Sequence, residues 1–256
     1  MKAMVLTAPG ELVQDEVARP TGESGEVVVR VTHSGICGTD YKIFNGSIPV
    51  GYPRIMGHEM AGEVVEPGNS PLHPGDRVII DPELYCGSCF HCRIGQTHLC
   101  SKGILLGRDA NGGFAEYLAA PASQVFKLPD DLNIRTAPII QVLTTCLHAQ
   151  RQVKIFPGEY VVVLGLGVTG QLHVQLAKAR GATVIGVTRS AEKRALAETL
   201  GADVTHFIKE QSFLEASAVN ETQLCQGGEH VGPGAVPRSP KRGRWKNILF
   251  PALEKS

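Results

Sequence analysis

The chain has 256 residues, 43% of them apolar and 20% charged, and its basic and acidic side chains balance to a formal net charge of zero. That length allows one large domain or two ordinary ones, and the balance excludes a global field that would draw the chain to nucleic acid or an anionic membrane. No apolar run approaches the about 20 residues that span a bilayer, and the opening MKAMVLTAPGELVQDE lacks the apolar stretch of a signal peptide, so a cytoplasmic protein with reduced thiols is expected.

Up to about residue 125 the sequence is broken by turn signals at 9–10, 22–25, 67–68 and 74–76. Short β-branched runs lie between them, at 26–32, 62–65 and 77–80. That spacing predicts an all-β, barrel-like domain, taken as residues 1–150. Residues 138–153 show no strand alternation and read as one helix, closed by Phe156-Pro157-Gly158. A strand at 160–164, a glycine turn, a helix at 168–180, a strand at 183–188 and an amphipathic helix at 190–200 follow, and a third strand begins near Val204. This strand–helix rhythm belongs to a parallel, doubly wound sheet, here a partial dinucleotide-binding domain over 151–205.

Residues 86–100, CGSCFHCRIGQTHLC, space Cys86, Cys89, Cys92 and Cys100 as C-x2-C-x2-C-x7-C. Thiolates two residues apart on glycine-containing turns converge on one ion, and four of them close a tetrahedral zinc shell with no open position. Such a site is structural. His91 and His98 compete as ligands, but four thiolates already complete the shell.

A second, sparser constellation pairs Gly35-Ile-Cys37-Gly-Thr39-Asp40 with Gly57-His58-Glu59. Cys37 offers a thiolate, His58 an imidazole and Glu59 a carboxylate. Taken alone, these residues read more readily as a buried cysteine and a satisfied core histidine than as a metal site. Farther on, Gly165, Gly167 and Gly170 follow a β-branched strand and open a helix, the context a phosphate-binding turn requires. Gly165 allows the tight turn, Gly167 close approach of a pyrophosphate, and Gly170 packing of helix on strand, with the helix N-terminus facing phosphate. The next strand ends in Thr188-Arg189-Ser190, where NAD-binding folds usually carry an acid for the ribose hydroxyls. With Thr188 in that place and Arg189 able to pair a 2′-phosphate, nothing there repels the phosphate, and NADP(H) is expected over NAD(H).

In order and spacing, GICGTD (35–40), GHEMAGEV (57–64), PGDRV (74–78), the four-cysteine lobe, GGFAEY (112–117) and LGLGVTG (164–170) resemble the zinc-dependent medium-chain alcohol dehydrogenase superfamily over residues 1 to about 204. The resemblance implies a GroES-like β-barrel catalytic domain, a Rossmann domain inserted before its C-terminal part, and reversible alcohol–carbonyl interconversion on small alcohols, aldehydes or polyols. It also implies two zinc ions, one structural and one catalytic. Cys37 and His58 would be catalytic zinc ligands, with Glu59 binding directly or in exchange with water. Asp40 would hold the far nitrogen of His58. Thr39 would take the alcohol's proton, and Lys42 stands where many relatives continue the relay with histidine. Gln141 occupies the position of a further ligand, usually Cys or Glu, and its neutral amide would hold the metal less tightly. Cys146 and His148, a turn or two on, read as helix packing. Relatives are homo-oligomers.

After about residue 205 the resemblance fades. Residues 206–256 contain Gly-Gly at 227–228, Gly-Pro-Gly at 232–234 and the basic stretch RSPKRGRWK, without strand alternation. Each βαβ step needs about 30 residues, so the stretch is too short for the remaining strands and the return to the catalytic domain. It is expected to be a disordered tail on a truncated or divergent chain, leaving the first parallel strand uncovered on one side. A non-enzymatic zinc-binding fragment with an incomplete cofactor site is the competing functional reading.

Overall fold

The structure, a computed structural model, describes residues 1–23, 25–207 and 245–248. The chain divides into two units, Met1–Val142 and a second beginning at Leu143, so the division falls within a helix, Ile139–Gln152.

The first unit is antiparallel. β1 (Lys2–Ala8) and β2 (Glu11–Glu16) form a hairpin about Pro9-Gly10. β3 (Glu26–Gly35) carries the run EVVVRV, in which Val27, Val28 and Val29 are all fully buried, so this strand has protein on both faces. α1 (Gly38–Phe44) follows directly, then β4 (Arg54–Ile55), β5 (Glu59–Glu66) and β6 (Arg77–Ile80). β7 (Glu83–Leu84), the short α2 (Phe90–Arg93) and β8 (Ile104–Leu105) frame the cysteine lobe, which loops out of a two-stranded ribbon. β9 (Tyr117–Pro121) and β10 (Val125–Lys127) complete the unit. Five strands pair in the order β10-β6-β5-β3-β9, and a smaller sheet runs β2-β1-β4. The β3–β5 register shifts between Val28 and Val29 and again between Val31 and His33. Irregularities of this kind bend a strand and sharpen its twist. One core includes Val27, Val29, Met60, Val64, Val78, Ile80 and Leu118. The barrel-like domain expected from the short strands is present.

The second unit is parallel. α3 (Ile139–Gln152) leads to β11 (Tyr160–Leu164), α4 (Val168–Ala179), β12 (Thr183–Thr188), α5 (Ala191–Thr199) and β13 (Val204–Phe207). Each lies within a residue or two of its expected place. Val161, Val163 and Val184 pack under Val174 and Ala177 of α4 and Ala197 of α5.

One expectation for the tail needs correction. Trp245–Ile248 is a strand, β14, parallel to β11 with Tyr160 opposite Trp245 and Val163 opposite Ile248. The sheet order is β13-β12-β11-β14, so β11 is paired on both sides. A buried parallel strand with an open edge leaves a row of amides and carbonyls unpaired, which any extended segment can satisfy. The remainder of the stretch expected to be a disordered tail lies outside the described residues.

Candidate active site and metal centres

Cys37 caps the start of α1 with an extended backbone (φ −96, ψ 157), and its N–H donates to Asp40 Oδ2 at 2.8 Å. The other oxygen of the same carboxylate lies 3.4 Å from His58 Nδ1, in a contact buried on both sides. Neither of those two atoms has a better partner among the described residues. Asp40 therefore ties the backbone of one expected ligand to the ring of another. Gly35 is paired with Glu59 across β3 and β5, and a Cβ at position 35 would stand 2.1 Å from Glu59 Oε2. The glycine leaves room for the carboxylate. Sequence reasoning passed over this role, although a glycine two residues before a ligand cysteine was a signal for it.

The thiolate, imidazole and carboxylate of Cys37, His58 and Glu59 offer ligand atoms all within 4.8 Å of one another. Their protonation is coupled. The hydrogen bond with His58 lowers the Cys37 thiol below its usual value against the opposing effect of burial, and the Thr39 backbone and hydroxyl assist. Burial pushes His58 down, but Asp40 and Cys37 together outweigh it and hold the imidazole up at about 10. Burial raises Glu59, with the His58 charge in partial opposition. Without a metal the pocket thus holds a proton between sulfur, nitrogen and oxygen donors. A cation with borderline-soft preferences fits such a donor set, and these three leave a fourth position for another ligand. Gln141 lies in the first turn of α3, half-buried, with its N–H on the Pro138 carbonyl. Lys42 lies one turn after Thr39 on α1, also half-buried.

The four cysteines of the lobe converge as expected. Sulfur–sulfur distances are 3.5 Å for Cys86–Cys100, 3.5 Å for Cys89–Cys92, 3.9 Å for Cys89–Cys100 and 4.0 Å for Cys86–Cys92. A tetrahedron with zinc–sulfur bonds of about 2.3 Å has edges of about 3.8 Å. The lobe fits zinc without rearrangement. Backbone N–H groups of Cys89, Cys86 and Lys102 point at the Cys86 and Cys100 sulfurs at 3.4 Å. Donors near Ser88 and Cys89 bring the Cys86 thiol down to about 5. His91 instead faces Gln96 at 3.4 Å, and neither it nor His98 joins the four-sulfur group.

In the second unit Gly165 has φ 87 and donates its N–H to the Val187 carbonyl at 2.8 Å. A side chain would be strained there. Gly167 caps α4 without a side-chain partner, leaving the first-turn amides open to an anion. A Cβ at Gly170 would stand 1.9 Å from the Gly165 carbonyl oxygen, so helix and turn touch through backbone. Thr188 ends β12 in a buried position and its hydroxyl accepts the Ser190 N–H at 3.2 Å. Ser190 caps α5 by accepting the Lys193 N–H, and its hydroxyl donates to Glu192 Oε2 at 2.8 Å. The expectation that nothing at this end opposes a 2′-phosphate is therefore incomplete, because a carboxylate stands beside Ser190. The signal was an acid in the first turn after a serine cap, where the helix dipole favours it.

A family model described as the alcohol dehydrogenase GroES-like domain matches residues 23–130, and one described as zinc-binding dehydrogenase matches 168–223. The chain belongs to the zinc-dependent medium-chain alcohol dehydrogenase superfamily. An alcohol dehydrogenase of Geobacillus stearothermophilus is 41% identical over 212 residues, which are 80% of this chain and 62% of that one. A Sinorhizobium meliloti 1021 protein solved bound to NADP superposes with a TM-score of 0.80 at 37% identity, covering 86% of this chain and 65% of that one. An alcohol dehydrogenase from Escherichia coli CFT073, solved with NADH, has a TM-score of 0.77 at 33% identity, covering 85% and 66%. This chain spans about 60% of the length of the curated relatives it matches, from 58% to 63%. Within the superfamily frame the first unit is the GroES-like domain and the second the Rossmann-like one. No described helix is long and apolar enough to cross a membrane.

Proposed function

We propose that the chain is a zinc-dependent oxidoreductase that interconverts a small alcohol or polyol and the corresponding carbonyl compound, with NADP(H) as hydride carrier. The observation that carries this reading is the convergence of Cys37, His58 and Glu59 within 4.8 Å, with Asp40 behind them. Gln141 is the further protein ligand, and the four-cysteine lobe holds a second, structural ion. Zinc at the first site supplies Lewis acidity toward an alcohol or carbonyl oxygen. The chain's own residues do the rest. Asp40 fixes the tautomer and orientation of His58. The Thr39 hydroxyl, which hydrogen-bonds the Cys37 sulfur, takes the substrate's proton as it gives up its own toward solvent, and the Lys42 ammonium, one turn on, stands where many relatives carry the relay histidine. The amides opening α4 seat the pyrophosphate, and Arg189 pairs the 2′-phosphate. Thr188 in place of an acid supports NADP(H), while Glu192 limits the margin.

Metal analysis of the purified chain, with turnover of a panel of alcohols and polyols by NADP+ and NAD+, tests the reading. Two zinc ions per chain and NADP+-dependent oxidation of at least one substrate are expected. A fully metallated chain that oxidises none of them would overturn the activity, and faster turnover with NAD+ would overturn the cofactor preference.

A further inference from the structure

The stretch Gly112-Gly-Phe114 and the loop glycine Gly107 surround the peptide that carries His58. Gly57, immediately before it, has φ 93, a conformation that side chains avoid. The segment 55–57 is clamped backbone to backbone. The Gly112 N–H donates to the Ile55 carbonyl at 2.8 Å, the Phe114 N–H to Met56 at 2.9 Å, and the Gly113 N–H to Gly57 at 2.9 Å. Asn111 Oδ1 accepts the Ile55 N–H at 3.2 Å. The strand beyond is anchored in turn, since the Met4 N–H of β1 donates to the Phe114 carbonyl at 2.8 Å.

The fit has no room for a single Cβ. One added at Gly112 would lie 2.1 Å from the Gly57 carbonyl oxygen and 2.6 Å from the Gly107 Cα. One added at Gly107 would lie 2.6 Å from that oxygen and 2.8 Å from the Gly57 nitrogen. At Gly57 itself it would lie 2.5 Å from the Phe114 ring. At the first two positions the obstacle is backbone, which cannot turn away as a side chain can. Relief requires moving the Gly57–His58 peptide, and so the two ligands that leave it. Two residues later Met60 is fully buried, so the strand cannot absorb the shift from that end.

We infer that Gly107 and Gly112 are positioning residues of the first metal site: together they form a backbone slot that fixes the Gly57–His58 peptide and so aims His58 and Glu59 at Cys37. The inference rests on the proposed metal binding by Cys37, His58 and Glu59. The cysteine lobe hangs from β7 and β8 and draws no ligand from 55–59, so its ion serves as the internal reference.

The test is competitive metal titration of the full chain with Zn2+ and Co2+ against a chelator, comparing wild type, Gly112→Ala and the core variant Val27→Ala. Val27 is fully buried in the core of the same unit and makes none of the hydrogen bonds that clamp 55–57. Wild type is expected to bind two ions of distinct affinity, matching its two ligand groups. Gly112→Ala keeps the lobe ion but weakens the other by about 10- to 100-fold, the range seen when support for metal ligands is removed. Its Co2+ spectrum loses the single-thiolate component and retains the tetrathiolate one. Val27→Ala melts earlier and binds both ions as wild type does. Unchanged second-site affinity in Gly112→Ala, or an equal loss in Val27→Ala, overturns the inference while leaving the metal reading intact. A wild-type chain that takes up only the lobe ion refutes the metal reading, and the inference with it. If Gly112→Ala cannot be obtained folded, Asn111→Ala loosens the same slot without steric load. Weakened binding at the His58 site is expected there too, and unchanged binding overturns the slot.

Discussion

His173 gives the second unit an acid sensitivity of its own. It lies on α4, 1% exposed, and its Nδ1 stands 3.1 Å from Gln150 Nε2 of α3. That amide also donates to the His173 carbonyl at 3.0 Å, which fixes its nitrogen toward the ring. Nδ1 must therefore be an acceptor, and the histidine neutral. Burial brings its pKa from 6.5 down to about 4. Because the folded value is depressed, the unfolded chain binds the proton first. Stability is complete above 6.5, falls as the pH drops from there toward 4, and is lost in full below about 4. The full loss is about 3 kcal/mol, of which about 2 kcal/mol falls between pH 7 and pH 5. Urea unfolding at those two pH values, followed through the single tryptophan, Trp245, whose strand pairs with β11 of the same unit, reads the difference. In His173→Leu the Gln150 amide keeps its backbone acceptor, and the variant should lose about 2 kcal/mol less than wild type over that interval. Parallel losses in the two proteins would refute the assignment of His173 as the buried neutral group.

Gly170→Ala drives a methyl group at the Gly165 carbonyl oxygen; fluorescence titration should show dinucleotide affinity down by about 10-fold or more, at a cost of over 1.4 kcal/mol, with both metal sites unaffected. Cys89→Ser removes one corner of the sulfur tetrahedron, and elemental analysis should find one ion fewer per chain, with a lower melting temperature. Asp40→Asn keeps the shape but removes the charge that holds His58 up at about 10; two-dimensional NMR of the metal-free imidazole should show its titration moved toward neutral pH. Glu192→Gln relieves the carboxylate beside Ser190; NADPH should bind several-fold more tightly, in line with about 0.5–1 kcal/mol for one exposed charge, and NADH unchanged.

The parallel unit was legible because its signals are local. Tyr160–Leu164 is apolar throughout, the glycines at 165, 167 and 170 meet turn and packing constraints within six residues, and Gly181 and Gly201 close the two helices. The cysteine lobe was legible for the same reason, all four thiols lying within one short loop. The proposed first metal site was not local. Cys37 and His58 sit on different strand ends, and only the pairing of Gly35 with Glu59 brings them together. Their residue types fit a plain buried core better, and only the order of motifs along the chain separates the two. Exposed strands were harder still. β2 reads ELVQDE, with every residue at least partly exposed, so burial left no alternation to find. β14 has a partner 85 positions earlier, and the strands of a parallel sheet need not alternate at all. Glu192 went unweighed because its bearing on a phosphate depends on the cap at Ser190, which is a matter of geometry.

The pairing of β3 with β5 has one more consequence. Side chains along a strand switch faces at each residue, so a slip by one position would turn Glu59 away from Cys37 and bring Met60 in its place. The two irregularities between Val28 and His33 set the count that reaches Gly35 opposite Glu59. On the proposed metal reading, uptake at Cys37 and His58 therefore depends on the native count of β3 against β5: a chain whose hairpins have mispaired brings no Glu59 carboxylate to the ion.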